Sequence, residues 1–311
     1  MSALNNTKFQ PGVFYLSGIL GQEDVFVWIS IPFCFIYFTS ILGNSVILLI
    51  IKTDQTLHEP MYIFLSMLAA TDIGLSISTM PTTLGIFWFN SREISHDACF
   101  AQLFFIHCLG FTESSILLLM AFDRLVAICN PLRYALILTP SRIATMLLVT
   151  LLRGVAVIFP LPILLKQHHY CQANVLSHFY CLHQDVMKLA CSDIRANAFL
   201  GLFGILFSEG LDFLLILLSY VMILKTVMKI VSHTERLKSL DTCISHIYIV
   251  LLFYLPLLGL SLTHRFVKTI SPIVQIVMGY VCFLVPPLMN PIVYSVKNKH
   301  IRGRMIRMFV K

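Results

Sequence analysis

Residues 25–51 read VFVWISIPFCFIYFTSILGNSVILLII, from Val25 to Ile51 without one charged side chain. About 20 mostly apolar residues suffice to cross a bilayer as a helix, so this stretch is long enough to span. Working outward, charges, Pro and Gly interrupt six further apolar blocks. They run Met61–Trp88, Ala98–Cys129, Arg142–Leu165, Ala196–Val231, Leu240–Leu262 and Pro272–Val296. None alternates with period two, and only helices or closed barrels satisfy backbone hydrogen bonds in lipid. The expected fold is an all-α membrane protein: a seven-helix bundle over 25–296 within a single domain, 1–311.

Composition agrees. The 311 residues are 58% hydrophobic and 12% charged, against about 25% charged in ordinary soluble domains; a soluble globular enzyme is excluded. No basic segment followed by an apolar core and a cleavage site precedes Val25, so no cleavable signal peptide is expected. Residues 297–311 alternate apolar Ile301, Met305 and Met308 with Arg302, Arg304 and Arg307, which reads as a basic amphipathic helix on the inner leaflet. With that end inside, Lys and Arg on the inner side outnumber those on the outer side two to one, which favours an outer N-terminus over residues 1–24. The sequon Asn5-Asn6-Thr7 is then usable for glycosylation of Asn5. No internal repeat marks a transporter of matching halves.

Four of nine cysteines fall on the outer side: Cys99 at the head of the third block and Cys171, Cys181 and Cys191 in the long loop before the fifth. An oxidising compartment implies two disulfides, with three pairings open. Ionisable residues inside the spans are each functional candidates: Asp72, Glu113, Arg153, Glu209 and Asp212, with His107 alongside. Asp72 and Glu113, with Asn44 and Asn290, could form one buried cluster. It would hold a sodium-like cation or a shared proton, or be only hydrogen-bonded. Glu209 and Asp212 share one helical face and gain no role from their spacing. Arg265, ending the sixth span, reads either as a fork for carboxylates or, more plainly, as a snorkelling side chain or a partner of Asp185. No Walker loop, zinc spacing or nucleophile motif is present, so no catalytic residue, cofactor or nucleic-acid partner is expected.

The motifs together resemble the odorant receptors of the rhodopsin-like G-protein-coupled class. They are Gly43-Asn44, Leu57-His58-Glu59-Pro60-Met61-Tyr62, Met120-Ala121-Phe122-Asp123-Arg124, Ser219-Tyr220, Thr242-Cys243 with His246, and Pro286-Pro287-Leu288-Met289-Asn290-Pro291-Ile292-Val293-Tyr294. Asn130-Pro131-Leu132-Arg133-Tyr134, Cys181-Leu182-His183-Gln184-Asp185 and His264-Arg265-Phe266 further resemble the fish-like class I branch near family 51. That resemblance implies a small odorant as ligand, with carboxylic acids prominent, and it reverses the plainer reading of Arg265. Arg265 would pair with the acid, beside His107, Gln184 and Ser261, while Gly110, Ile158 and Leu161 bound the apolar end. The resemblance also implies disulfides Cys99–Cys181 and Cys171–Cys191, and a sodium site at Asp72 and Glu113. It implies an activation set of Asp123, Arg124, Tyr220, Tyr254, Asn290, Pro291 and Tyr294 that meets the olfactory stimulatory G protein. Trafficking chaperones and a plasma-membrane address at olfactory neuron cilia follow in the same way. Leu125 departs from the aromatic usual after Asp-Arg, and Leu20-Gly21-Gln22-Glu23 and Asp241 also depart from the family pattern. Two other readings compete: an ion- or proton-coupled transporter using Asp72, Glu113, Glu209 and Asp212, and a receptor-like chain that does not signal.

Overall fold

The computed structural model describes residues 12–17, 26–170, 174–230, 232–266 and 272–309. Seven of its helices are long and apolar enough to cross a membrane. The first is α1 (Phe26–Thr53), the second α2 (Pro60–Phe89) and the third α3 (His96–Cys129). A short α4 (Tyr134–Ile137) lies in the loop that follows.

Local chemistry sets the boundaries where they differ from the apolar blocks. Pro60 opens α2 one residue before Met61, because its missing N–H is not needed in a first turn. The same helix stops at Asn90, which adopts a left-handed φ of 49°, a conformation Asn tolerates better than most residues. Ser95 accepts from the Ala98 N–H and so starts α3 at His96.

The fourth span is broken. A first piece, α5 (Pro140–Ile158), gives way to α6 (Pro160–Gln167), because Pro160 lacks the N–H that would continue the ladder. The loop beyond carries α7 (His183–Lys188). The fifth span joins α8 (Arg195–Phe203), a π-helical turn over Gly204–Glu209, and α9 (Gly210–Val227). It ends before Val231, which lies outside the described residues. The sixth, α10 (His233–Phe266), outruns the block Leu240–Leu262 at both ends, and the seventh is α11 (Pro272–Lys297). Asn298 accepts from the N–H groups of His300 and Ile301 and starts α12 (Lys299–Phe309), the amphipathic helix expected at the C-terminus.

A small sheet, absent from the sequence reading, covers the end of the bundle where α3 begins. Strand β1 (Val13–Leu16) lies between β2 (Glu93–Ser95), antiparallel, and β3 (Val175–Leu176), parallel. Its strands of two to four residues are too short to show a period. The core has two main parts. One, at this end, joins Phe14, Leu103 and Ile106 to the loop residues Phe179, Tyr180 and Leu182. The other, at the far end, joins Leu68, Ile116, Met120, Ile223 and Ile249. Trp28, Phe35, Leu152 and Phe207 are exposed, as side chains facing lipid would be. Gly43 lets α1 approach α11, since a Cβ there would stand 3.0 Å from Cβ of Pro291.

Candidate functional site

Between α3, the fourth and fifth spans, α10 and α11 lies a cavity of about 890 Å³, its open mouth included. His107, Gly110, Ile158, Leu161, Gln184 and Ser261 all line it. Helix geometry explains the convergence on α3: His107, Gly110 and Glu113 are three apart and so share a face, with about 9 Å between the first and last. The walls are mostly aliphatic or aromatic, among them Val157, Leu200, Ile205, Phe253 and Leu257. Apolar walls with a few placed polar groups are the usual build of a small-molecule site. Arg265 belongs to α10, one turn beyond Ser261; its side chain lies outside the described residues.

The loop over the cavity is fastened at several points. Cys99 is bonded to Cys181, with 5.5 Å between their Cα atoms, and the Cys181 N–H donates to Gln102 Oε1 at 2.9 Å. Cys191 is disulfide-bonded, and Cys171 and Asn5 lie outside the described residues. The His183 N–H donates to His107 Nε2 at 3.4 Å, and the His183 ring meets Asn197 Oδ1 at 3.2 Å. Asp185 is held by His178, and by Lys188 at 3.7 Å.

Two polar clusters lie below the cavity. In the first, Asn290 Nδ2 donates to Asp72 Oδ1 and Oδ2 at 3.2 and 3.0 Å and to Glu113 Oε1 at 3.5 Å. One amide thus serves two carboxyl groups. Asn44 does not bond to them as the sequence reading allowed. Its Nδ2 donates to the carbonyls of Ser40 and Pro287, both at 3.0 Å, which ties α1 to α11 instead. Asn290 Oδ1 is buried without a hydrogen-bond partner among the described residues. This set of hard oxygens fits a small cation or a proton. Among the described residues, no three His, Cys, Asp or Glu side chains are grouped to hold a metal ion.

The second cluster pairs charges that sequence reasoning flagged singly. Arg153 Nη1 donates to Asp212 Oδ1 and Oδ2 at 2.7 and 3.0 Å and to Ser115 Oγ at 3.1 Å. Ser114 Oγ donates to Asp212 Oδ2 at 3.0 Å and meets the Tyr254 hydroxyl at 2.7 Å. The opposite signs of Arg153 and Asp212 were the signal available in the sequence; the rotation that brings them together was not. Glu209, also without an assigned role, lines the cavity.

At the far end, Asp123 lies 3.4 Å from Arg124 and accepts from the Tyr134 hydroxyl at 2.7 Å. Burial, and then that bond to a carboxylate, hold the Tyr134 phenol well above its ordinary pKa. The Tyr220 hydroxyl meets His246 Nδ1 at 2.5 Å, and that of Tyr294 reaches Met120 Sδ at 3.8 Å. Leu125 packs against the core at this end. In α12, Arg304 pairs with Asp54, whose carboxyl is held below the usual range chiefly by a hydrogen bond from Thr56.

Seven spanning helices around a lidded, mostly apolar cavity, with polar clusters beneath it, define a seven-helix receptor of the rhodopsin-like kind. The crystal structure of squid rhodopsin superposes with a TM-score of 0.76 at 17% identity, covering 92% of this chain and 86% of that one. A family model described as "Olfactory receptor" matches residues 33–311. Human olfactory receptor 51G2 is 60% identical over 98% of this chain and 97% of its own length. Human olfactory receptor 51G1 is 57% identical, over 99% and 96%, and mouse olfactory receptor 51E2 is 49% identical, over 98% and 96%. The chain belongs to the olfactory receptor family, and with it to the multi-pass G-protein-coupled receptors of the plasma membrane.

Proposed function

We propose that this receptor recognises a short or medium aliphatic carboxylic acid and raises cyclic AMP through the olfactory stimulatory G protein. The observation that carries the reading is the cavity's division: His107, Gln184 and Ser261 on its lining, aliphatic side chains along the rest, and Arg265 one helical turn beyond Ser261. A guanidinium meets a carboxylate through two parallel N–H donors, which a point charge cannot match. Removing the tail from water against Ile158, Leu161 and Leu257 would contribute about 0.8 kcal/mol per methylene. The N-terminus is read as extracellular, the site of action as neuronal cilia reached with trafficking chaperones, and the coupling surface as Arg124, Tyr220 and Tyr294 exposed when α10 swings. A ligand shifts that equilibrium only by its differential affinity for the two states.

Asp72 and Glu113, with Asn290 beside them, would hold a sodium ion, which would supply the positive charge that these carboxyl groups lack.

The test is cyclic AMP in cells expressing the chain, challenged with C2–C10 linear acids and the matching alcohols. Acids should act and alcohols should not, and Arg265→Ala should lose the acid response by at least tenfold in potency at equal surface expression. Equal potency of Arg265→Ala would return that residue to the snorkelling role. Isotope flux without cyclic AMP would favour a transporter instead.

A further inference from the structure

Glu209 is the cavity-lining residue the acid reading leaves without a task. It ends the π-helical turn Gly204–Glu209 of the fifth span, where the Gly210 N–H reaches back five residues to the Ile205 carbonyl. Such single π turns re-aim the side chains they carry and recur at functional sites. The turn packs closely on its neighbours: a Cβ on Gly204 would stand 3.2 Å from Phe111 Cζ and 3.3 Å from Val157 Cγ1. The Glu209 side chain is therefore aimed from a backbone with little room to shift.

Glu209 is 5% exposed, lines the cavity, and its Oε2 is buried without a hydrogen-bond partner among the described residues. The Arg153 guanidinium turns its Nη1 to Asp212 and Ser115. Among the described residues no Lys, Arg or His forms an ion pair with Glu209. A buried carboxyl group without a partner is costly, and each one in a folded protein needs an explanation. Here the side chain borders the ligand space.

Along the helices, Glu209 lies two turns beyond Gly201, and Phe253 two turns beyond Ser261; both Gly201 and Ser261 line the cavity. Two turns are about 12 Å for the eight residues of either interval. The cavity thus carries its acid-reading groups near Ser261 and, about two turns along the helices, the carboxyl of Glu209 near the level of Phe253; the other lining carboxyl, Glu113, shares the Asn290 amide with Asp72.

We infer that Glu209 is the second polar end of the site, a subsite for a hydroxyl group, and that the receptor selects medium-chain acids bearing a hydroxyl at or near the far end over the plain acids. A hydroxyl both donates and accepts, so it meets this carboxyl group whether or not it carries a proton. An ammonium group meets only the carboxylate and brings a second desolvated charge. The inference rests on the acid reading for the ligand's head and on Glu209 alone for its tail.

The experiment measures the ligand-induced rise in thermal unfolding temperature of the purified full-length receptor, alongside cyclic AMP in cells. Two matched series are compared at each length from C4 to C10: linear acids against ω-hydroxy acids, and linear alcohols against α,ω-diols. In the wild type, one or more hydroxy acids should bind at least tenfold more tightly than the parent acid. In Glu209→Leu that ratio should fall to within twofold, and Glu209→Gln, whose amide oxygen still accepts, should retain part of it. A ratio near one in the wild type at every length, or one unchanged by Glu209→Leu, overturns the inference. If Glu209→Leu fails to fold, the wild-type ratios and Glu209→Gln decide. If no acid binds but diols exceed alcohols only when Glu209 is present, the acid reading falls and the hydroxyl subsite stands.

Discussion

The two polar clusters beneath the cavity solve the same problem differently. Around Arg153 and Asp212, opposite charges meet and the remaining valences are taken by Ser114, Ser115 and Tyr254. Around Asp72 and Glu113, two acids share one Asn290 amide, and the Asn290 carbonyl is left over. The first cluster pairs its charges within the chain and holds α3, the fourth span and the fifth together. The second pairs two acids with one amide, and on the proposed reading a cation or a proton would complete it. A buried network stabilises only when its members are satisfied, which sets a charge-paired brace apart from a cluster that leaves a buried carbonyl over.

The difference can be broken most severely at Asp212. Asp212→Ala leaves the part-buried Arg153 without its countercharge; breaking a fully buried pair on one side costs about 3–5 kcal/mol, which sets the upper bound here. The unfolding temperature in detergent and the surface yield should both fall sharply. The double variant Arg153→Met/Asp212→Leu should recover most of the loss, and a single variant as stable as wild type would remove the brace from this account. A smaller effect tests the other cluster. Replacing sodium by choline should lower wild-type stability by roughly 1.4 kcal/mol when sodium is near ten times its dissociation constant, and Asp72→Asn should not respond. A wild type indifferent to sodium would assign the cluster to a shared proton. The smallest change is Ser115→Ala, which removes one bond from Arg153 and one to Asp212 and should cost about 0.5–1.5 kcal/mol per bond, read as a modest fall in unfolding temperature.

Much of the bundle was legible because crossing lipid imposes a length and excludes charge, and both are properties of contiguous sequence. The breaks at Pro160 and Asn90 follow from local backbone chemistry as well. Contacts between helices were not legible, because they depend on how each helix is rotated about its axis. Arg153 and Asp212 stood out singly, yet nothing in either segment aimed one at the other. Asn44 was assigned to the wrong neighbours for the same reason. The π turn needs only one extra residue per turn and leaves no period to detect, so Glu209 stood out as a charge within a span while its place on the cavity was out of reach. At the candidate site, His107 stood out as an ionisable residue within a span, whereas Gln184 and Ser261 were named from a family likeness; neither spacing nor composition would have chosen those two among the other polar residues.

The loop over the cavity is packed as core, with Phe179 and Val186 fully buried and Leu182 nearly so. Lifting it would return these side chains to water at about 1.5–3 kcal/mol each, against a disulfide that fixes its middle to α3. A bound molecule would therefore not leave through a swinging flap; it would pass the cavity's mouth with the loop in place, and its residence time would be set by the side chains that narrow that mouth.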